Sequence, residues 1–221
     1  MTPTTTSPSI LRSLRGLSPV RECGYDESLM IAERQAGRLG ELVAALDPGS
    51  DGIDLPHIQA LPRIRVVFEP LPISGMSHWN GREWVIAIAG GDSLARQRFT
   101  LLHEFKHIID HGQIHLLYTG DNRHSAAEQA ERAADYFAGC ALVPRAALKR
   151  AWGNGMQRVP HLAEHFGVSE AAMRVRLSQT GLDRESDQPP APRCARPVRT
   201  PQWQPQRFVI VQPNYARRRY V

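Results

Sequence analysis

Two histidines one helical turn apart, His103 and His107, constrain the fold of this chain more than any other feature. At about 100° per residue they lie about 40° apart around a helix, and Glu104 falls in the same sector. Two neutral imidazoles on one turn can hold a single Zn²⁺, while the adjacent carboxylate stays free to take a proton from water. Residues 103–107 therefore predict a helix with two metal ligands and a general base.

The residues around this motif also have helical periodicity. Apolar side chains occupy the helix side away from the histidines and the glutamate: Leu101, Leu102, Phe105, Ile108 and Ile109. One face is then predicted to pack in the core and the other to be polar. The alternative interpretation is a solvated helix with two surface histidines.

A zinc site needs a third protein ligand, and a second helix predicted over residues 125–142 offers carboxylates in its polar sector. Glu131 and Asp135 lie one turn apart, so Asp135 can accept the second ring N–H of a ligand histidine if Glu131 binds the metal. Glu128 is the rival ligand, because i, i+3 and i, i+4 neighbours share a helix face. The pattern leaves both glutamates open as ligands, and each is also compatible with a solvated surface carboxylate.

Two linked stretches give the chain a family resemblance. Residues 98–107 read Arg-Phe-Thr-Leu-Leu-His-Glu-Phe-Lys-His, residues 131–138 read Glu-Arg-Ala-Ala-Asp-Tyr-Phe-Ala, and Leu-Val-Pro follows at 142–144. Together they resemble the ImmA/IrrE family of metallo-endopeptidases, over residues 27–182. The resemblance implies a thermolysin-like zincin, of the gluzincin type, with one Zn²⁺ per chain. It also implies that Glu131 is the third ligand, with Asp135 behind it.

The mechanism expected from this interpretation is peptide hydrolysis. His103, His107 and Glu131 hold the zinc and leave its fourth position for water. Glu104 deprotonates that water for attack on a peptide carbonyl, then returns the proton to the leaving amine.

A hydrogen-bond donor for the oxyanion is also expected. Tyr118, His124 and Tyr136 are the candidates by position, and the sequence does not rank them. Residues 112–124, between the two metal helices, are the predicted location of a lid or specificity loop.

The resemblance further implies the kind of substrate: a transcriptional repressor with its own helix-turn-helix, whose limited proteolysis relieves repression. The residues leave a second hypothesis open, a non-catalytic zinc-containing regulator that binds DNA or a repressor and acts by sequestration. Partners are therefore expected to be proteins, with DNA less favoured. No apolar run reaches the length of about 18 residues that a membrane span needs, and three widely spaced cysteines fit a reducing compartment, so we expect a cytoplasmic protein.

Positive charge is concentrated at the C-terminal end of the chain. Of the net charge of +5, residues 184–221 contribute eight arginines against only Glu185 and Asp187, so the remainder is nearly neutral. This Arg/Pro-rich tail is predicted to be largely disordered, with a weak strand signal at residues 208–211. A partner or nucleic-acid handle and a plain solvated tail are equally compatible with it.

A helix-turn-helix-like unit is predicted over residues 151–183. A helix, a glycine turn at Gly167, a cap at Ser169 and a second apolar-periodic helix follow one another there. Arg174, Arg176, Ser178 and Gln179 are the side chains of the second helix that could read a DNA groove, and we favour packing or partner binding over DNA reading. The inverted motif His-Leu-Ala-Glu-His at residues 161–165 is better explained as part of this unit than as a second zinc site.

The predicted architecture is α+β. A flexible lead (1–25) precedes a zincin-like domain (26–150), in which two helices, a strand at 64–68 and a hairpin around Asn80-Gly81 come before the metal helices. The sheet is expected to be small and antiparallel or mixed. By analogy with zincins, the strand over residues 83–89 is the candidate edge for binding the substrate backbone.

Overall fold

The computed structural model describes residues 9–48 and 52–182. It has the predicted α+β fold, and the elements of the described residues are α1 (Ile10–Arg15), α2 (Tyr25–Leu46), α3 (Leu55–Gln59), β1 (Ile64–Glu69), β2 (Gly75–Trp79), β3 (Trp84–Ala89), α4 (Leu94–Asp110), α5 (Ile114–Leu117), α6 (Ala126–Leu142), α7 (Arg145–Gly153), α8 (Val159–Phe166) and α9 (Glu170–Thr180). The predicted tail over 184–221, including its strand signal, lies outside the described residues. No helix in the described ranges is both long and apolar enough to cross a membrane.

Side-chain caps fix where the two predicted metal helices begin. Ser93 accepts a hydrogen bond from the Arg96 backbone N–H at the start of α4. Ser125 and Glu128 form a reciprocal capping box at the start of α6. Each cap satisfies backbone donors that the first helical turn leaves without partners, and α6 starts where the sequence predicts.

The sheet is mixed, with strand order β1-β3-β2. β1 runs parallel to β3, and β2 runs antiparallel to it as the predicted hairpin. β3 is therefore the central strand, and the prediction that its edge binds the substrate backbone is wrong, because both of its edges are already paired. A continuous apolar run from Trp84 to Ala89, buried on both faces, is the sequence signature of such a strand. The strand of the hairpin with a free edge is β2.

The core forms where α2, α4 and α6 pack together and α4 lies on the sheet. The apolar face predicted for α4 is buried there, and Phe105, Ile108 and Ile109 have no exposed surface. Phe137 of α6 is equally buried. The polar faces of α4 and α6 consequently remain on the surface beside each other.

The region predicted as a flexible lead contains an ordered helix, α1. Its Leu14 is fully buried, and its main-chain carbonyl accepts a bond from the Gln35 side chain. Arg15 donates to the carbonyls of Ile108 and Ile109 at 2.7 and 3.2 Å, and so satisfies acceptors at the end of α4. The Ser/Pro-rich composition of this region did not indicate that Leu14 would be buried or that Arg15 would bond to the end of α4.

The helices α8 and α9 follow one another across a short glycine turn, within the segment predicted to be helix-turn-helix-like. Gly167 ends α8 in the left-handed conformation with φ of 61°, and Ser169 caps α9. Arg98 of α4 donates to the carbonyls of Phe166 and Gly167, so the turn is bonded directly to the helix that carries the histidines.

Candidate metal centre

Three side chains converge on one point between α4 and α6. The Nε2 atoms of His103 and His107 are 3.1 Å apart. Glu131 places one carboxylate oxygen 3.2 Å from Nε2 of His103 and the other 3.4 Å from Nε2 of His107. Of the described residues, these three alone form a group of His, Cys, Asp or Glu able to hold a metal ion.

The donor set and its spacing fit a zinc ion. Two imidazole nitrogens and a carboxylate oxygen are the ligands of catalytic zinc sites that keep one position open. Ligands at about 2.0–2.1 Å in tetrahedral geometry are separated from one another by roughly 3.3–3.4 Å. The separations of 3.1–3.4 Å among the three side chains therefore agree with a shared ion.

Asp135 lies behind His103, on the side away from this point. Its Oδ1 accepts a hydrogen bond from Nδ1 of His103 at 2.9 Å. A carboxylate can only accept, so Nδ1 carries a proton, and in the neutral ring the lone pair then lies on Nε2, the atom nearest Glu131. Burial disfavours the imidazolium of His103, but the bond to Asp135 and the charges of Glu104 and Glu131 outweigh it and raise its pKa. Burial and the neighbouring His103 lower the pKa of His107.

Glu104 is fixed from the sheet side by a residue that sequence reasoning missed. Ser77 of β2 donates its hydroxyl to Oε2 of Glu104 at 2.8 Å. Gly75 lets the strand approach this closely, since a Cβ there would lie 2.4 Å from the Thr100 methyl and 2.9 Å from the Ala87 carbonyl oxygen. A serine and a glycine in a short strand carry no motif, so the sequence did not indicate them.

The two glutamates that the sequence could not separate have different surroundings. Glu128 accepts bonds from the Ser125 backbone N–H and hydroxyl at 2.8 and 2.9 Å, and the backbone bond lowers its pKa. Glu131 has no such cap to serve and lies against both histidines. The i, i+3 spacing made the two glutamates equivalent by helix face. They differ because α6 starts at Ala126, which places Glu128 in the capping box and Glu131 beyond it.

A cleft of about 1360 Å³ contains the site. It is lined by His103, Glu104 and Glu131, and it extends along α4 and α6 to the side chains of α9. The start of β2 forms another part of its lining. A cleft of this size can admit several residues of a polypeptide.

Residues 62–178 match the IrrE N-terminal-like domain model of the M78 peptidases, over more than half of the chain. The chain belongs to the ImmA/IrrE family. The family gives this chain a metallopeptidase-like domain, as the paired motifs predict. No curated protein matches the sequence.

A solved structure that the chain matches is a Mycobacterium tuberculosis transcriptional regulator, at 20% sequence identity and a TM-score of 0.47. The match covers 77% of this chain and 52% of the regulator. The ImmA/IrrE chain thus spans about half the length of that protein.

In this ImmA/IrrE member the three predicted oxyanion donors lie in different surroundings. Tyr118 is buried and donates to Asp110 at 2.6 Å, outside the lining of the cleft. His124 is also outside the lining, 6.1 Å from the Tyr25 ring. Tyr136 lines the cleft but donates to Glu33 at 3.0 Å, and burial with the nearby acidic groups raises its pKa to about 12.

Among the polar side chains that line the cleft of this family member without having been predicted are Tyr25, at the start of α2, and Arg132, next to Glu131. Both can donate a hydrogen bond. Tyr25 stands about eighty residues before the motif, so nothing in the sequence connects it with the site.

The segment over 112–124, predicted to be a lid, does not line the cleft. Leu117 and Tyr118 are buried, and Asp110 joins the Tyr118 hydroxyl to the ammonium of Lys106. Burial of the Lys106 ammonium lowers its pKa. This buried polar network fixes the segment to the C-terminal half of α4.

Proposed function

We propose that the chain is a zinc-dependent endopeptidase. The observation that carries the proposal is the convergence of His103, His107 and Glu131 on one point, at a cleft whose lining includes His103, Glu131 and Glu104. Zinc held by these three residues would lower the pKa of a water to about 7 and polarise a carbonyl oxygen. Three protein ligands that leave the fourth zinc position for water are the arrangement of hydrolytic zinc sites.

The proposed ligands are oriented by their own hydrogen bonds. Asp135 holds the ring of His103 with Nε2 directed to the site, and in the neutral ring it keeps the single proton on Nδ1. Glu128 is left out of the proposed ligand set, since its carboxylate serves the cap of α6.

Glu104 is the proposed general base. It takes a proton from the attacking water and passes it to the leaving amine nitrogen. Ser77 donates to one carboxylate oxygen, which leaves the other oxygen for this transfer and restricts rotation of the side chain. The strand that supplies Ser77 therefore helps to position the base.

We further propose that β2 binds the substrate backbone. At one end of the hairpin the Ser74 carbonyl accepts a hydrogen bond from the Ala89 N–H, and at the other end the Asn80 N–H donates to the Glu83 carbonyl. Because bonding in an antiparallel pair alternates along the strand, the backbone groups of Gly75, Ser77 and Trp79 point to the free edge. An extended peptide added there runs past Glu104.

The proposed substrate is a helix-turn-helix transcriptional repressor, which rests on family membership. We propose the functional division given by the sequence, a peptidase domain over 26–150 and a helical unit over 151–183. The rival function is a non-catalytic zinc-containing regulator that binds DNA or a repressor and acts by sequestration. Its DNA-binding form is less favoured, because Arg176 of α9 is 1% exposed and bonded to the Val143 carbonyl. Of the two arginines predicted to read DNA, only Arg174 is exposed, and it pairs with Glu170.

The test is a Glu104→Gln variant, which removes the base and retains the side-chain shape. Zinc-loaded wild type is incubated with the helix-turn-helix repressor encoded nearest to it, and fragments are counted by mass spectrometry. The variant should bind one zinc per chain and cleave about 10²- to 10⁴-fold more slowly.

The control is Glu164→Gln, which alters the exposed glutamate of the inverted motif at residues 161–165. It should cleave at the wild-type rate. Glu104→Gln that still relieves repression fully, without producing fragments, would instead establish the sequestration hypothesis.

A further inference from the structure

We propose that α9, together with the facing turns of α4 and α6, forms an apolar specificity pocket for an aliphatic side chain of the polypeptide substrate. The inference rests on the proposed peptidase function and gives the helix-turn-helix-like unit a role within it. The second helix of that unit selects the substrate of the metal site, in place of reading DNA.

The pocket is continuous with the metal centre. From the histidines, the cleft follows α4 towards its start and α6 towards its end, and Phe99 comes one turn before His103. The two ring centres are 6.5 Å apart. An extended chain rises about 3.3 Å per residue, so the pocket takes a side chain about two residues from the scissile bond.

The lining at this end of the cleft is mainly apolar, and it also includes Ser169, the cap of α9, and Arg176 and Gln179 of that helix. Phe99 of α4, Gly139 and Leu142 of α6, and Ala172 and Val175 of α9 all contribute. Val175 is 57% exposed, so its side chain is available to a substrate in the cleft. Apolar lining residues of this kind favour binding of a Leu, Met, Ile or Val side chain of the substrate over a polar one.

Gly139 makes room for that side chain. It lies in the interior of α6, where glycine is a poor helix former, and no described hydrogen bond or turn requires it. A Cβ built at this position meets nothing within 4 Å. A larger residue would therefore be tolerated by the fold and would project into the cleft.

The α9 wall is held in place by Arg176. Its Nε donates to the Val143 carbonyl at 3.0 Å, at the end of α6. Its guanidinium also lies 5.7 Å from the Tyr136 ring centre and 3.7 Å from a Glu33 oxygen. Met173 and Leu177 are buried on the same helix. A wall anchored in this way can discriminate between side chains, because it cannot retreat to admit a poor fit.

The experiment uses an equimolar mixture of synthetic decapeptides with randomised central residues. Zinc-loaded full-length protein digests the mixture, and the cleaved bonds are identified by mass spectrometry. In parallel, the Glu104→Gln protein is immobilised with zinc, and the retained peptides are sequenced. Cleavage tests the proposed function, and retention tests the pocket without requiring turnover.

Two variants change the pocket from opposite walls. Gly139→Leu should lower cleavage and retention of peptides with Leu or Met at one fixed position by about 10- to 100-fold, and spare those with Ala. Val175→Asp should reduce the same preference and favour Lys or Arg there. The matched controls are Gly37→Leu, at an exposed position of α2, and Ser178→Asp, at an exposed position of α9 outside the cleft, and both should keep the wild-type profile.

The two proposals fail in different ways. Selective retention that Gly139→Leu abolishes, without any cleavage by the wild type, would support the pocket and overturn the peptidase. Cleavage with no aliphatic preference, or with a preference that both variants leave unchanged, would overturn the pocket alone. Failure to retain any peptide class would also overturn it.

Discussion

Individual residues of the centre carry different roles although they share one helix face. Glu131 and Glu128 are three positions apart on α6, but Glu128 is occupied by the Ser125 backbone and hydroxyl. Glu131 has only the two histidine nitrogens as close polar partners among the described contacts. Glu131 is therefore the carboxylate available for the proposed metal ion, and Glu128 is the one that caps α6.

We predict that Glu131→Ala abolishes stoichiometric zinc binding, because two imidazoles alone do not complete the ligand set. Glu128→Ala should keep one zinc per chain and show a lower melting temperature, since the capping box is lost. Zinc content by atomic emission after dialysis, with thermal melts of both variants, checks this. Zinc lost from Glu128→Ala and kept by Glu131→Ala would reverse the assignment.

We also predict that Asp135→Ala weakens zinc binding by about 10- to 100-fold without abolishing it. The variant frees Nδ1 of His103, so that ring can rotate and take either tautomer. Competition with a fluorescent zinc chelator measures the affinity. Asp121→Ala, a carboxylate bonded to backbone N–H groups in the loop before α6, is the control and should retain the wild-type affinity.

At the scale of elements, local patterns predicted what local physics decides. The apolar stripe of α4 and the polar and apolar faces of residues 125–142 predicted the two helices α4 and α6, and Asn80-Gly81 predicted the hairpin. Strand order could not be predicted, because it depends on β1 pairing in parallel with β3, and β2 lies between these two strands in the sequence. The wrong assignment of the substrate-binding edge follows directly from that non-local pairing.

The approach of β2 to α4 is the non-local contact with a direct consequence for the site. We predict that Gly75→Ala destabilises the fold by about 1–3 kcal/mol, because its Cβ overlaps the Thr100 methyl and the strand must move. The same movement lengthens the Ser77–Glu104 bond, so kcat should fall. Urea unfolding and the cleavage assay measure the two effects.

A second substitution distinguishes this overlap from a general loss of strand structure. Thr100→Ser removes the methyl group and retains the hydroxyl, so Gly75→Ala/Thr100→Ser should recover part of both losses. Recovery is expected to be partial, because the Ala87 carbonyl oxygen still lies 2.9 Å from the new Cβ. A double variant as impaired as Gly75→Ala would show that the methyl contact is not the cause.

At the scale of the whole molecule, two arginines join the helical unit to the metal helices. Arg98 of α4 bonds to the turn between α8 and α9, and Arg176 of α9 bonds to the end of α6. The sequence presented Arg176 as a DNA-reading side chain because a helix pattern alone does not reveal which face is covered. Its burial is set by residues far away in sequence, Glu33 and Tyr136 among them.

We predict that Arg176→Met lowers the free energy of unfolding by about 1–3 kcal/mol, because it leaves the Val143 carbonyl and part of the Glu33 charge without a donor. Arg174→Met is the matched control on the same helix. Its partner Glu170 is exposed, so that variant should stay within about 0.5 kcal/mol of the wild type. Chemical denaturation compares the two.

Zinc content should be unchanged in both methionine variants, since neither arginine contacts His103, His107 or Glu131. If α9 is a wall of the substrate cleft, Arg176→Met also raises KM more than it lowers kcat, because a loosened wall weakens substrate binding and leaves Glu104 in place. Equal losses in kcat and kcat/KM would mean that the helical unit acts on the chemical step itself. If Arg176→Met unfolds and turns over substrate as Arg174→Met does, the bond of Arg176 to the end of α6 is not required for stability or for substrate binding.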